Sequence, residues 1–260
     1  MSEVKSADRV MEILNLLSEL PGGMSLSGIS EALNLPKSSA HEILHAMVVK
    51  NYLRIDNKKY RMGIKVFEIG QMVSRNLDLL QAVRPHLKSA SEQLGAVTQF
   101  GILDKTEVVY LSKMQFKEGV TVESRVGTRF PAHVTAIGKA MLSVLPEEEV
   151  IERYTGKEFH HFTYNSIGSI EELLTNLRGV RNTSYAQDVE ECTEGVFCLS
   201  VPVLNSYVDN TSAISASMSR ERWNEIEHQN VVRVLEEAAR RISESMSQRL
   251  GIKPRSAKVS

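Results

Sequence analysis

Cysteine is nearly missing from this chain. Its 260 residues contain two, Cys192 and Cys198, both in one segment. That excludes a disulfide framework and makes a reducing cytoplasm the expected compartment. Long apolar runs are missing too. No window approaches the roughly eighteen consecutive apolar residues of a membrane span, so no membrane partner is expected. The charged N-terminus lacks the apolar stretch of a secretory signal. Net charge is scarce: −1 overall, with 42% hydrophobic and 24% charged residues, the balance of an ordinary globular protein. His-x-His and Cys-x-x-Cys spacings are absent, and Gly138-Lys139 lacks the preceding spacing of a nucleotide loop. No cofactor and no metal are therefore expected. There is no internal repeat, and the length suits two domains.

What charge there is gathers in one place. From Pro36 to Lys65 seven lysines and arginines face two acids, Glu42 and Asp56. Within this stretch Pro36 suits a first helical position. Ala40, Ile43, Leu44 and Met47 then follow the helical period and form one apolar stripe. The opposite face carries Lys37, Ser38, Ser39, His41 and His45, side chains that reach base edges and phosphates. Two helices precede it: Ala7 to Leu20, which Ser6 can cap, and Gly28 to Leu33, which Ser27 can cap, with Asn34 as a left-handed stop. The short connection to Pro36 is that of a helix-turn-helix. Leu53–Asp56 and Lys59–Met62 alternate apolar and charged residues around Asn57-Lys58 and read as a β-hairpin. Lys58, Lys59 and Arg61 make it a wing that grips phosphate. A solvated basic face on a small helical domain is the plainer reading. The wing, the basic tip and the polar helix face together favour double-stranded DNA as the partner.

The period stays helical from Ile64 to Gln81, with Val66, Phe67, Ile69, Gly70, Val73 and Leu77 on one side. This reads as one linker helix whose apolar positions suit either dimerisation or packing on its own domain. Pro85 opens a further helix to Leu94, which Gly95 closes. Beyond it the pattern turns to mixed α/β. Thr98–Leu103, Val108–Met114, Val196–Val203 and Ala213–Met218 read as strands. Thr135 caps a helix to Leu145, Ser169 to Glu172 form a capping box opening a helix to Leu177, and Glu221 to Leu250 is one long helix. The fold class is α+β: a winged helix-turn-helix over 1–65, a linker helix over 66–82, an antiparallel sheet flanked by helices over 83–252, and a loose tail over 253–260.

The second domain offers an anion site. The start of the helix at Thr135, Ala136, Ile137 and Gly138 presents backbone N–H groups, and Gly138 would let a ligand approach the backbone. Ser215 and Ser217 alternate along a strand and so share a face, where both hydroxyls could donate to one carboxylate. Asp188 would accept from a ligand hydroxyl, and Phe130 and Ile137 would shape the apolar part. Each has a plainer reading: strand serines facing solvent, a turn aspartate, and, for Cys198, a small core residue. A rival function is a thiol enzyme with Cys198 as nucleophile, His133 as base and Asp188 as orienting acid; the same three could hold a metal. The apolar surroundings of Cys198 would stabilise a thiolate poorly. A third possibility is a DNA-binding protein that needs no ligand.

The order of these parts resembles the IclR family of bacterial transcription regulators, over nearly the full chain. The resemblance rests on LPKSSAHEIL, NYL and YRMG in the first domain. In the second it rests on SRVGTRFPAHVTAIGKAML, SYAQDVEECTEGVFCLSVPV and AISAS. It implies a winged helix-turn-helix, a linker helix and a GAF-like effector-binding domain, assembled as dimers or dimers of dimers. It further implies a regulator, not an enzyme. Most members repress a catabolic operon until a small organic acid binds, and some activate. By the same resemblance Ala136, Ile137, Asp188, Cys198, Ser215 and Ser217 fall on effector-contact positions. Glu42 departs from a frequent Arg, Ser184 from a usual Gly and Asn205 from a usual Asp.

Overall fold

A computed structural model describes residues 4–76, 79–116, 120, 122, 124–204 and 211–250. The chain divides into two compact units, Met1–Leu77 and Asp78–Ser260. Of the features expected from sequence, Leu77, Asn205 and the tail lie outside the described residues. No helix among those described is long and apolar enough to cross a membrane.

The first unit comprises α1 (Lys5–Ser18), α2 (Leu26–Ala32), α3 (Lys37–Val49), β1 (Leu53–Asp56), β2 (Lys59–Met62) and α4 (Ile64–Asn76). Ile13 and Leu17 of α1, Ile29 of α2, Leu44 and Met47 of α3, and Leu53 and Tyr60 of the hairpin meet in one core. The helix starts differ from expectation. Val4, not Ser6, precedes α1, and no side chain caps it. Ser25, not Ser27, caps α2 by accepting from Gly28 N at 3.2 Å. Pro36 stands just outside α3, with an extended ψ of 135°. Asn34 takes the expected left-handed turn, φ 48°. Ser30 then donates to the carbonyl of Leu35 at 2.6 Å and fixes the corner between α2 and α3.

The second unit is built on six antiparallel strands in the order β5-β4-β3-β8-β7-β6. They are β3 (Val97–Asp104), β4 (Glu107–Met114), β5 (Arg129–Pro131), β6 (Ala186–Val189), β7 (Val196–Val203) and β8 (Ser212–Ser219). Its helices are α5 (Leu79–Leu94), α6 (Ala136–Ser143), α7 (Glu147–Tyr154), α8 (Ile170–Thr183), α9 (Arg220–Glu225) and α10 (His228–Leu250), with a 3₁₀ turn over Ala132–Val134. Alternation along β3 sends Thr98 to α5, where its hydroxyl donates to the Leu87 carbonyl at 2.8 Å. Gln99 points to the opposite face. β7 and β8 are buried nearly throughout, because helices cover both sides of the sheet.

Three helix boundaries correct the sequence reading. The helix expected over Ile64–Gln81 is described as α4 and α5, and residues 77–78 between them lie outside the described residues. Pro85 lies inside α5 rather than opening it. Ala82 and Val83 are buried in register with Leu87, Ala90 and Leu94, and that stripe outweighs the one backbone bond that proline forgoes. The long C-terminal helix expected from sequence is two: Ile226 is extended, ψ 139°, and separates α9 from α10. Trp223 of α9 packs on Phe197, with ring centroids 5.3 Å apart, so Ile226 leaves the buried stripe of Val231, Leu235, Ala238, Ile242 and Met246. Finally, α8 runs on to Thr183, where Ser184 stops it in the left-handed conformation, φ 67°. A glycine holds that conformation without strain, so Ser184 departs from the family at a costly place.

Candidate functional site

In the first unit α3 buries Ala40, Leu44 and Met47 and exposes Lys37, Ser38, His41 and His45, with Ser39 half-buried. The rings of His41 and His45 lie parallel, 6.3 Å apart, one helical turn separating them. Asn57 and Lys58 both take positive φ, 49° and 61°, which is the tight turn that suits the twist of a two-residue hairpin. Lys58 and Lys59 are exposed at its tip. Arg61 is more constrained than the sequence suggests: it is half-buried and paired with Asp56 at 3.1 Å. Arg54, its exposed cross-strand partner, is the free arginine of this hairpin among the described residues.

The second unit holds a cavity of about 30 Å³, lined by polar and apolar side chains, between the sheet and the N-terminus of α6. Of the eight positions proposed from sequence for an effector, seven line it: Phe130, Ala136, Ile137, Asp188, Cys198, Ser215 and Ser217. Gly138 does not. A Cβ there would lie 2.3 Å from the Ala132 carbonyl, so the glycine seats α6 against the 3₁₀ turn and is not open to a ligand. Thr135 caps α6 as expected, accepting from Gly138 N at 3.1 Å. The first-turn N–H groups of Ala136 and Ile137 have no partner within the helix.

A chain of hydrogen bonds crosses the floor. The Cys198 thiol donates to Ser217 Oγ at 3.1 Å, Ser217 donates to Gln99 Oε1 at 3.3 Å, and Gln99 Nε2 donates to Ser124 Oγ. The Ser217 proton is therefore committed to Gln99, and the two serines do not donate together as expected. Ser215 lines the same wall, and its hydroxyl makes no hydrogen bond among the described residues. Tyr110, edge-on to Phe130 at 6.1 Å, is a second such hydroxyl. Burial raises its pKa well above the ordinary phenol value, so it is a donor.

Asp188 on β6 is 3% exposed. Its Oδ1 accepts from Glu191 N at 2.7 Å and from Cys192 N at 3.4 Å. Burial, reinforced by the charge of Glu191, pushes its pKa up to about 7. Beneath it the ammonium of Lys139, wholly buried on α6, binds both carboxylate oxygens of Glu191, at 2.6 Å from Oε2. Lys139, Glu191, Gln99, Tyr110, Ser124 and Thr193 were missed from sequence.

The thiol-enzyme and metal readings fail on position and chemistry. His133 is not a cavity residue; it is buried against Phe159, centroids 4.8 Å apart, and edge-on to Tyr154. Burial holds the Cys198 pKa well above its ordinary value, the reverse of a nucleophile's need. No group of three metal-ligating side chains occurs among the described residues.

A helix-turn-helix with a basic hairpin, joined to a unit with a cavity lined by polar and apolar side chains, is the build of a DNA-binding transcription regulator. The comparisons agree. Residues 6–57 match the IclR helix-turn-helix domain, and residues 71–244 match the C-terminal domain of bacterial IclR transcriptional regulators. The regulator XynR of Escherichia coli is 33% identical over 95% of this chain and 98% of its own. The regulator KdgR of Dickeya chrysanthemi is 33% identical over 94% of this chain and 80% of its own. The C-terminal domain structure of E. coli KdgR is 32% identical, with a TM-score of 0.59 over 65% of this chain and 99% of that one. An IclR homologue from Microbacterium hydrocarbonoxydans, solved with 4-hydroxybenzoate, shares the fold at a TM-score of 0.82 and 24% identity, over 94% and 99% of the two chains. The chain belongs to the IclR family of bacterial transcriptional regulators. These relatives are regulators, not enzymes.

Proposed function

We propose that this regulator represses a catabolic operon, and that a small organic acid in the cavity changes its affinity for operator DNA. Residues 1–65 carry DNA binding through Lys37, Ser38, Ser39, His41, His45, Lys58, Lys59 and, in part, Arg61. Residues 66–82 link, and residues 83–252 bind effector and a second copy of the chain. The observation that carries the reading is the cavity. A domain serving only to dimerise has no reason to turn Ser215, Tyr110 and Asp188 into one cavity. An organic acid meets those groups and the first-turn N–H groups of α6. Phe130 and Ile137 supply an apolar wall, and the space of about 30 Å³ suits a small acid; the Microbacterium relative was solved with a larger one, 4-hydroxybenzoate.

The test joins two measurements on the full chain. A footprint on the DNA flanking its gene is expected to show two half-sites about one helical turn, or a multiple, apart. A carboxylate that shifts DNA affinity must itself bind with affinity altered by operator, by the same factor. Ser215→Ala is expected to cost that carboxylate about 1–3 kcal/mol while leaving effector-free DNA binding intact. Loss of DNA binding in Ser215→Ala without any carboxylate would overturn the reading.

A further inference from the structure

We propose that the cavity takes its organic anion together with one proton, which resides on Asp188 and is donated from Oδ2 to the ligand. This rests on the cavity being the effector site.

The charges come first. Among the described residues, the charged groups facing Asp188 are Glu191 from the turn after β6 and Lys139 from α6. The other titratable neighbours are Cys192 on that turn, Cys198 on β7 and Tyr110 on β4, and burial raises the pKa of Cys198 and of Tyr110 well above their ordinary values. β3 and β8 contribute Gln99, Ser215 and Ser217, which carry no charge. Lys139 is the single cation in this set, and it is spent: both of its short contacts go to the Glu191 carboxylate. An ionised Asp188, itself 3% exposed, would thus set an uncompensated negative charge in the wall of the cavity, directly against an incoming carboxylate. Two carboxylates in one dry site do not both stay ionised. They share a proton.

The hydrogen bonds say where that proton sits. Asp188 Oδ1 already accepts from two backbone N–H groups, of Glu191 and Cys192. No described residue donates to Oδ2. The proton is repelled from the oxygen that faces donors and left to the oxygen that faces none, and Asp188 lines the cavity. The acid then becomes a donor beside Ser215 and Tyr110, and burial already raises its pKa to about 7. The sequence reading had Asp188 as an acceptor from a ligand hydroxyl; here its role is reversed.

The consequence is a proton-linked effector. Only the protonated fraction of Asp188 is competent, so affinity is level at pH 5–6 and falls about tenfold per pH unit once the acid has titrated. The experiment is calorimetry on the full chain with a panel of small monocarboxylates, 4-hydroxybenzoate among them. It is run from pH 5.5 to 8.5 and repeated in buffers of different ionisation enthalpy. The expected result is uptake of up to one proton per bound anion above pH 7, with the fall in affinity stated above. Asp188→Asn keeps an acceptor for the two N–H groups and offers an N–H in place of the acid. It is expected to bind the same anion with no proton uptake above pH 7 and at least tenfold tighter than the wild type at pH 8.5. Binding that Ser215→Ala weakens but that carries no proton and no pH dependence would overturn the proposal and leave the site standing. Binding that Ser215→Ala does not touch, or no binding of any member of the panel, would overturn the site and the proposal with it.

Discussion

Two buried ionisable residues of the second unit pull stability in opposite directions. The Asp188 pKa is raised to about 7, above its unfolded value of about 3.9, so between those limits the native state holds a proton that the unfolded chain releases. Its contribution is full at low pH and is lost as pH rises to 7. His133 is the reverse. Its ring is buried, and burial lowers its pKa to about 4. Its contribution is lost as pH falls from about 6.5 towards 4. The two slopes oppose each other over pH 4–6.5. Relative to the wild type, Asp188→Asn is expected to gain stability with rising pH by up to about 1.4 kcal/mol per unit, until near pH 7. Urea unfolding at four pH values checks this. An unchanged difference across that range would place the titration elsewhere. Lys139 gives a second case. Lys139→Met leaves Glu191 charged, buried and unpaired, and is expected to cost about 3–5 kcal/mol, whereas Lys139→Met with Glu191→Leu recovers most of it. Denaturant midpoints of the three variants decide it.

At the scale of elements, the readable parts were those whose meaning is local. The apolar stripe of α3, the Asn57-Lys58 turn and the Thr135 cap follow from neighbours in sequence, and so does the shared face of Ser215 and Ser217. What was not readable depends on which strands become neighbours. Gln99 and Tyr110 reach the cavity because β3 pairs with both β4 and β8, and nothing in their own spacing announces it. Lys139 and Glu191 are 52 positions apart, and a lysine in a short helix reads as a surface residue. β5 has only three residues, and the four of β6, Ala186 to Val189, do not alternate apolar with polar. Glycine was misread for a related reason: at Gly138 the close approach is to Ala132 of its own chain. The hairpin supplies a prediction at this scale. Lys58→Ala with Lys59→Ala is expected to weaken binding to specific and scrambled duplexes alike and to lower the salt slope by up to about two. Arg61→Ala, already paired to Asp56, is expected to do less. Titrations at two salt concentrations separate these outcomes. Lysine variants that lose only the specific site would show that the hairpin reads bases.

At the scale of the whole molecule, each unit has a core of its own, and α4 leaves apolar side chains uncovered. Ile64, Phe67 and Met72 are 63%, 62% and 59% exposed. The proposed pairing with a second copy gives them a cover. Phe67→Ser with Met72→Ser is therefore expected to shift the chain towards monomer in sedimentation velocity and to weaken operator binding through lost simultaneous engagement of two half-sites. A variant that sediments as the wild type would move the interface off this helix.

The six-stranded sheet ends on β5 at one side and β6 at the other, and these are its shortest strands. Each rim offers only a few unpaired N–H and C=O groups, too few to template a neighbour's strand. Growth of the sheet from molecule to molecule is thereby blunted, and recognition between copies is left to side chains on helices and loops. Side chains can be exchanged one at a time without disturbing the ladder beneath them.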